Sequence, residues 1–294
     1  MSQTFVAVLF MGGTIVAFTS MAVAGRAVSS ELDTFEIMMY RSFIGFVLVM
    51  TIGGALGRLR DIRRARMGTH AVRNIGHFAG QNLWFFAITA IPLAQVFALE
   101  FTMPLWVMML SLFVLGERIT RVRALAALIG FAGILVVARP SPSTFDWGLV
   151  AAAASAVGFA ISAVYTRLLT RTESTISILF WLTVMQAGFG VLFSFADGDV
   201  AVPPLAILPW LVIIAGAGLF AHWCLTNALA RAPATVVMPI DFVRLPVIAL
   251  VGVMLYQEPI DAFLVLGGAM IFAGNYLNVA SETRAARHSL GGNG

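Results

Sequence analysis

The chain has 294 residues, of which 60% are hydrophobic and only 11% are charged, and its mean hydropathy is +0.94. A water-soluble domain carries about 25% charged residues, so the composition excludes an ordinary soluble fold and indicates a protein that lies in lipid. The net charge is +4, but every basic residue is an arginine and most of them lie between apolar stretches, which argues against a nucleic-acid surface.

Ten apolar segments of membrane-spanning length follow one another along the chain. The third and fourth are separated only by Ile91-Pro92 and the eighth and ninth by Ala232-Pro233, where a proline favours a tight turn. The first segment has no basic residue before it, which suits a retained span rather than a cleaved signal. The ten segments are residues 4–24, 35–56, 72–90, 93–115, 124–138, 147–168, 174–196, 205–229, 233–255 and 262–280.

The arginines lie mainly on one side of these segments. If the N-terminus is cytoplasmic, Arg26 and Arg139 fall on the opposite side, and Arg41 and Arg244 fall inside spans. This asymmetry follows the positive-inside rule and predicts that both termini are cytoplasmic. The remaining arginines are all cytoplasmic: Arg58, Arg60, Arg63, Arg64, Arg66, Arg73, Arg118, Arg121, Arg123, Arg167, Arg171, Arg231, Arg284 and Arg287.

The two halves of the chain repeat each other at an offset of 141 residues. Each half holds five segments, an odd number, so the second half enters the membrane from the opposite side. The pattern predicts an all-α membrane protein of ten transmembrane helices in two inverted five-helix repeats, residues 1–140 and 141–281. A polar cytoplasmic tail, residues 282–294, is expected to be disordered. Matched pairs include Phe18 with Phe159, Pro92 with Pro233, Glu100 with Asp241, Glu117 with Glu258 and Phe131 with Phe272.

Four charged residues fall inside apolar segments: Glu100, Asp241, Arg41 and Arg244. Unpaired, they would together cost on the order of 10 kcal/mol in the bilayer centre. Because Asp241 and Arg244 are three residues apart, they share a helix face, and we expect the fourth and ninth spans to face each other there. The four groups either line a substrate cavity or neutralise one another to pin the helices, and both roles are compatible.

Further candidates for a substrate site lie in the same central zone. His77 and His222 can hydrogen-bond a substrate, relay protons or bond a neighbouring helix, and His222 occupies the position equivalent to Gln81. Phe97 and Met103 share a face with Glu100 by helical spacing. Trp84 and Asn227 complete the predicted substrate-binding set.

Two sequence patterns are interpreted as structural. Gly76-xxx-Gly80 is typical of close helix packing within the membrane. The turns Gly116-Glu117-Arg118 and Gln257-Glu258-Pro259 place a carboxylate just past a span, where it can accept hydrogen bonds from the next helix, with gating as the alternative.

Signatures of catalysis are missing from the sequence. It contains no nucleotide-binding loop, nucleophile elbow or zinc motif, and its only cysteine, Cys224, excludes an internal disulfide. We therefore predict no enzymatic activity, no catalytic residue, no metal and no cofactor.

The motifs together resemble the drug/metabolite transporter superfamily, specifically the ten-span EamA-type carriers, over residues 5–280. The resemblance implies a secondary carrier of the bacterial inner membrane that moves small organic metabolites, commonly outward. Aromatic amino-acid exporters of the superfamily carry Trp-Pro where this chain has Met103-Pro104. The matching motifs include Arg41, residues 90–94, Pro104, Gly116-Glu117-Arg118, Gly130, Gly133, residues 232–234, Pro246, Glu258-Pro259, Gly267-Gly268 and Gly274.

The sequence therefore predicts alternating access around a central site for an amino acid or a similar zwitterionic or polar solute. Glu100 and Asp241 would meet its cationic part or a proton, and Arg244 and Arg41 its carboxylate. His77, Gln81 and Asn227 would supply hydrogen bonds. A monomer in the lipid bilayer is expected, with a proton as a candidate coupling ion and no nucleic-acid partner. The alternatives are uptake of a vitamin or nucleoside-like metabolite, a passive channel, a non-transporting receptor and a membrane enzyme.

Overall fold

The structure, a computed structural model, describes residues 3–115, 121–138, 146–196, 200–231, 240–241 and 243–291. Eleven α-helices occupy most of this part of the chain, and a short 3₁₀ turn covers Leu59–Asp61. The helices are α1 (Gln3–Val28), α2 (Thr34–Ala55), α3 (Met67–Ala90), α4 (Leu93–Glu100), α5 (Met103–Leu115), α6 (Arg121–Ala138), α7 (Trp147–Leu169), α8 (Thr175–Ser194), α9 (Leu208–Arg231), α10 (Arg244–Tyr256) and α11 (Ala262–Gly291).

Five of these helices, α1, α2, α7, α8 and α9, are long and apolar enough to cross a membrane. Ten spanning segments were expected; the segments corresponding to α4, α6, α10 and α11 contain shorter apolar helices. Many large side chains on the outside of the bundle are apolar, including Val16, Leu128 and Leu192. The polar face of α3 is turned inward, since His70, Arg73, Asn74 and His77 are buried. The molecule is therefore apolar outside and locally polar inside, the reverse of a soluble protein.

The fourth predicted span is broken in its middle. Its first part, α4, ends at Glu100, and α5 starts at Met103. Between them the Thr102 hydroxyl donates to the Leu99 carbonyl oxygen at 2.7 Å. Pro104, which has no N–H to donate, suits the first turn of the new helix. The expected continuous helix over residues 93–115 is therefore two helices, and Glu100 lies at the junction.

The two halves of the chain pack against each other in pairs of helices that the repeat relates to one another. The first helix, α1, packs along α9, and α3 packs along α7; α2 packs along α8, and α6 along α11. If each helix is replaced by its counterpart in the other half of the chain, the same set of helix pairs results. Glycines allow the closest approach: a Cβ added at Gly158 would lie 2.7 Å from the Gly80 Cα. The Gly76-xxx-Gly80 pattern thus packs α3 against α7, as predicted.

Further predictions concern the turns and the ends of the helices. The turn predicted at Ile91-Pro92 is confirmed, because α3 ends at Ala90 and α4 begins at Leu93. The last helix, α11, continues through Gly291, where residues 282–294 were expected to be disordered. Arg139 and the predicted turns at Gly116-Glu117-Arg118 and Ala232-Pro233 lie outside the described residues.

Candidate functional site

Arg244 joins two carboxylates at the point where the fourth span breaks. It is the first residue of α10, and its guanidinium donates to Glu100 Oε1 and to Asp241 Oδ2, both at 2.8 Å. The Arg244 side chain is only 5% exposed. The rings of Phe18 and Phe97 each lie 5.0 Å from the guanidinium carbon. The predicted approach of Glu100, Asp241 and Arg244 is therefore present, between α4 of the first half and α10 of the second.

Trp84 completes this group by binding the other oxygen of Glu100. Its indole N–H donates to Glu100 Oε2 at 2.8 Å, and its ring makes an edge contact with Phe97 at 5.8 Å between centroids. Trp84 is buried, so it holds Glu100 in place rather than facing open space. We call these five residues the Arg244 cluster: Glu100, Asp241, Arg244, Trp84 and Phe97. Two carboxylates share one guanidinium there, so the cluster carries a net charge of −1 when all three groups are ionised.

A second group of polar residues, the Arg41 cluster, consists of Arg41, His77, Gln81 and His222. Within the described part of the chain, no carboxylate lies within 4.0 Å of the buried Arg41 side chain, whose polar contact is Met38 Sδ at 3.6 Å. The guanidinium faces α9, because a Cβ added at Gly218 would lie 2.9 Å from Arg41 Nη2. Among the described residues, Arg41 is thus a buried cation without a nearby carboxylate.

Two of the remaining members of the Arg41 cluster, His77 and Gln81, have buried polar atoms that no described residue binds. The His77 and His222 rings meet edge to face at 5.0 Å. Gln81 donates weakly to Met21 Sδ at 3.9 Å. His77 Nε2 and Gln81 Oε1 are buried, and neither has a hydrogen-bond partner in the part of the chain that the structure describes. A buried polar atom without a partner costs about 1–3 kcal/mol, so these atoms are ready to bind a ligand that enters.

Phe18 lies between the two clusters. Its ring faces Arg244 at 5.0 Å and makes an edge contact with His222 at 5.8 Å. Its counterpart at the 141-residue offset, Phe159, contacts His77 at 6.0 Å. Neither phenylalanine was predicted as a site residue. The 141-residue repeat matches the two phenylalanines to each other. Only the packing of α1 against α9, and of α7 against α3, brings each ring to a histidine.

The structure gives the surroundings of three further predicted site residues. Asn227 donates to the Trp223 carbonyl oxygen at 2.8 Å and accepts from Arg231 at 2.8 Å, so it is engaged within α9. Met103 was placed beside Glu100 by helical spacing, but the break at residues 101–102 ends that spacing. Arg244 was expected to bind a substrate carboxylate, yet Glu100 and Asp241 already occupy it. In the described residues, no group of three His, Cys, Asp or Glu side chains could hold a metal ion.

A helical molecule with an apolar exterior and charged side chains buried between its helices is an integral membrane protein. The EamA-like transporter family matches the chain twice, over residues 5–139 and 146–280, and the chain belongs to this family. It is a transporter of small metabolites embedded in a membrane, and its relatives are transporters rather than enzymes. The resemblance inferred from the motifs is confirmed.

Several relatives cover most of the chain. It is 22% identical to an S-adenosylmethionine uptake transporter of Rickettsia bellii, over 92% of each chain. It is 28% identical to a riboflavin transporter of Rhizobium johnstonii, covering 74% of this chain and 72% of the relative. A pseudopaline exporter of Pseudomonas aeruginosa is 28% identical, with 86% and 89% covered. A solved crystal structure with 21% identity matches with a TM-score of 0.67, covering 95% of this chain and 98% of that one, and supports the fold alone.

Proposed function

We propose that the protein is a secondary carrier of the bacterial inner membrane that exports a small zwitterionic metabolite by alternating access. The observation that carries the proposal is the difference between the partners of two buried arginines, Arg244 and Arg41. Arg244 is neutralised by Glu100 and Asp241, whereas Arg41 faces no carboxylate among the described residues. The Arg41 cluster would bind the anionic group of the substrate, and the excess negative charge of the Arg244 cluster would attract its cationic group.

Charge arithmetic supports a zwitterion. With both histidines neutral, the two clusters carry +1 and −1, separated by the ring of Phe18. A zwitterion satisfies both charges without changing the total charge of the site. Isolated charge in a membrane is costly, so a ligand that neutralises both clusters at once gains more than a neutral solute of equal size. His77 Nε2 and Gln81 Oε1 add hydrogen-bonding positions.

The proposed mechanism uses ten spans in two inverted five-helix repeats, residues 1–140 and 141–281, with both termini cytoplasmic. The exchange of equivalent helix pairs between the halves supports this arrangement. The helix break after Glu100, and the start of α10 at Arg244, support a site built at discontinuous helices. Rocking of one half against the other would expose the clusters to either side. A proton binding to Glu100 or Asp241 is the proposed coupling step.

Counterflow in proteoliposomes tests the proposal. The candidate solutes are amino acids, S-adenosylmethionine and riboflavin, first screened by the thermal stabilisation they give the purified protein. A carrier loaded with unlabelled solute accelerates entry of the labelled solute, whereas a passive channel does not. Related proteins named as an uptake transporter and as an exporter both match, so flux is measured in both orientations.

Neutral variants connect the flux to the site. Glu100→Gln and Asp241→Asn are expected to reduce flux at least about tenfold, because each removes a charge-assisted bond to Arg244. Arg58→Gln is the control, since it removes only an exposed ion pair with Asp61. Unchanged flux in both acid variants would contradict a role for the Arg244 cluster in transport.

A further inference from the structure

One end of the helix bundle is fastened by Arg26, which lies near the end of α1. Its Nε donates to the Ile88 carbonyl oxygen at 2.6 Å and its Nη2 to the Ile91 carbonyl oxygen at 2.9 Å. Its Nη1 forms an ion pair with Glu258, and its guanidinium lies 4.5 Å from the centre of the Tyr256 ring. All three nitrogens are occupied, so this one side chain joins α1, the α3–α4 turn and the end of α10.

Glu258 fastens the same end through its second oxygen. Oε2 accepts a hydrogen bond at 2.8 Å from the backbone N–H of Leu93, the first residue of α4. We had expected this carboxylate to bind the helix that follows it. It instead binds a helix of the other half of the chain, 165 residues away.

The end of α10 is shaped to place Glu258 there. Gln257 has a left-handed backbone, with φ of 55°, and turns the chain back over the last turn of α10. The Glu258 N–H then donates to the Gly252 carbonyl oxygen at 3.2 Å. A Cβ added at Gly252 would lie 2.5 Å from Glu258 Oε2, so this glycine leaves the space that the carboxylate occupies.

These contacts hold α4 at both of its ends. Arg244, at the start of α10, binds Glu100 at the end of α4, and Glu258, just past the end of α10, binds Leu93 at its start. The half-buried Arg26–Glu258 pair adds α1. If the halves separate at this end, the Arg26–Glu258 and Glu258–Leu93 bonds must both break, because each joins one half to the other.

We propose that Arg26 and Glu258 form a latch that closes this end of the transport path and releases whenever the central site opens toward it. The inference rests on the proposed carrier function. From the sequence, Glu258 was interpreted as part of a structural turn, with gating as the alternative. The ion pair with Arg26, the bond to α4 and the space left by Gly252 favour gating. By the predicted orientation, this end faces away from the cytoplasm.

Thiol accessibility tests the latch without a substrate. Cys224 is the only cysteine, so Cys224→Ser gives a cysteine-free background. Ala98→Cys then serves as a reporter, because Ala98 is buried in α4 and faces Leu245 of α10 across a cavity of about 10 Å³. A membrane-impermeant maleimide is applied to intact cells and to inverted vesicles. Glu258→Gln and Gly252→Ala are each expected to raise the labelling rate about tenfold from one side only, the effect of losing one charge-assisted bond.

Matched controls separate release of the latch from general loosening. Arg58→Gln removes an exposed ion pair with Asp61, and Gly216→Ala adds a methyl group where no atom lies within 4 Å. Both controls are expected to leave the labelling rate unchanged. If Glu258→Gln does not fold, Arg26→Lys keeps the charge but lacks the planar fork, and a smaller one-sided increase is expected.

Two results would overturn the latch: no change in labelling in the folded variants, or an equal increase from both sides. Failure of the latch and failure of the carrier function are distinguishable. One-sided labelling changes without counterflow of any solute would leave the latch and remove the carrier function. Counterflow with unchanged labelling would leave the carrier function and remove the latch.

Discussion

Arg244 and Arg41 are both buried arginines, yet the protein surrounds them differently. Arg244 lies between two carboxylates, with aromatic rings against its guanidinium. Arg41 lies against Met38 and the space beside Gly218, without a carboxylate among the described residues. The difference teaches that a buried charge is not by itself a binding site. A neutralised arginine holds helices together, whereas an arginine without an anion is available to a ligand.

The largest expected effect comes from removing the paired arginine. Arg244→Met leaves Glu100 and Asp241 buried together without a cation. We expect a loss of about 3–5 kcal/mol in the free energy of unfolding, the usual cost of removing one partner of a buried ion pair. Denaturant unfolding of the purified protein in detergent measures it. A loss no larger than that of Arg58→Gln, which removes an exposed pair, would contradict the structural role of Arg244.

The next effect concerns the residue that positions Glu100. Trp84→Phe keeps most of the buried ring but removes the N–H that donates to Glu100 Oε2. A hydrogen bond to a charged group contributes about 1.5–3 kcal/mol, and we expect a loss of that size in the same unfolding experiment. Trp223→Phe is the control, because Trp223 is half exposed on α9. Equal losses in both variants would show that ring size, rather than the bond to Glu100, is responsible.

Arg41→Met sharpens the comparison, because its effects on stability and on binding should separate. It leaves no carboxylate unpaired among the described residues, so we expect a change in unfolding free energy within about 1 kcal/mol. Affinity for the solute identified by counterflow should fall at least about tenfold, because a charge-assisted contact is lost. Isothermal titration measures the affinity. A stability loss as large as that of Arg244→Met would remove the distinction between the two arginines.

The smallest effect tests the position of Arg41 rather than its charge. In Gly218→Ala the new Cβ would lie 2.9 Å from Arg41 Nη2, and the flexible side chain can move away at little cost to stability. We expect the affinity for the solute to fall about threefold, less than the loss of a full hydrogen bond. Gly216→Ala, on the same helix with no atom within 4 Å of the new methyl group, should leave the affinity unchanged. Equal affinities in the two variants would argue against Arg41 as a substrate contact.

Much of the candidate site could be predicted from the sequence because charged residues in apolar segments are rare and expensive. This argument found Glu100, Asp241, Arg244 and Arg41. It treats the fourth span as continuous, whereas the structure breaks this span between Glu100 and Met103. The break at residues 101–102 depends on backbone geometry and a hydroxyl bond from Thr102 to Leu99, which the apolar pattern does not record.

Phe18, Arg26 and Glu258 mark a different limit. Each makes its informative contact with a residue more than 150 positions away: Phe18 with His222, and Arg26 with Glu258. The 141-residue offset matched Phe18 to Phe159 and Glu258 to Glu117, but it relates equivalent positions rather than touching ones. Helix packing, not equivalence, decides which side chains meet.

The sequence alone determined the class of protein, because composition and the 141-residue repeat are properties of the linear chain. It also indicated that Arg41, Glu100 and Arg244 are buried, since their surroundings along the chain are apolar, but it did not indicate the burial of Glu36, Arg73 and Glu173. Only the tertiary structure decided that Arg244 is paired with two carboxylates and that Arg41 has none within reach among the described residues. Ion pairing depends on separations of about 3 Å, set by the rotation of α2 and α10 in the bundle and by a break after Glu100. Helices far apart in sequence fix these distances jointly.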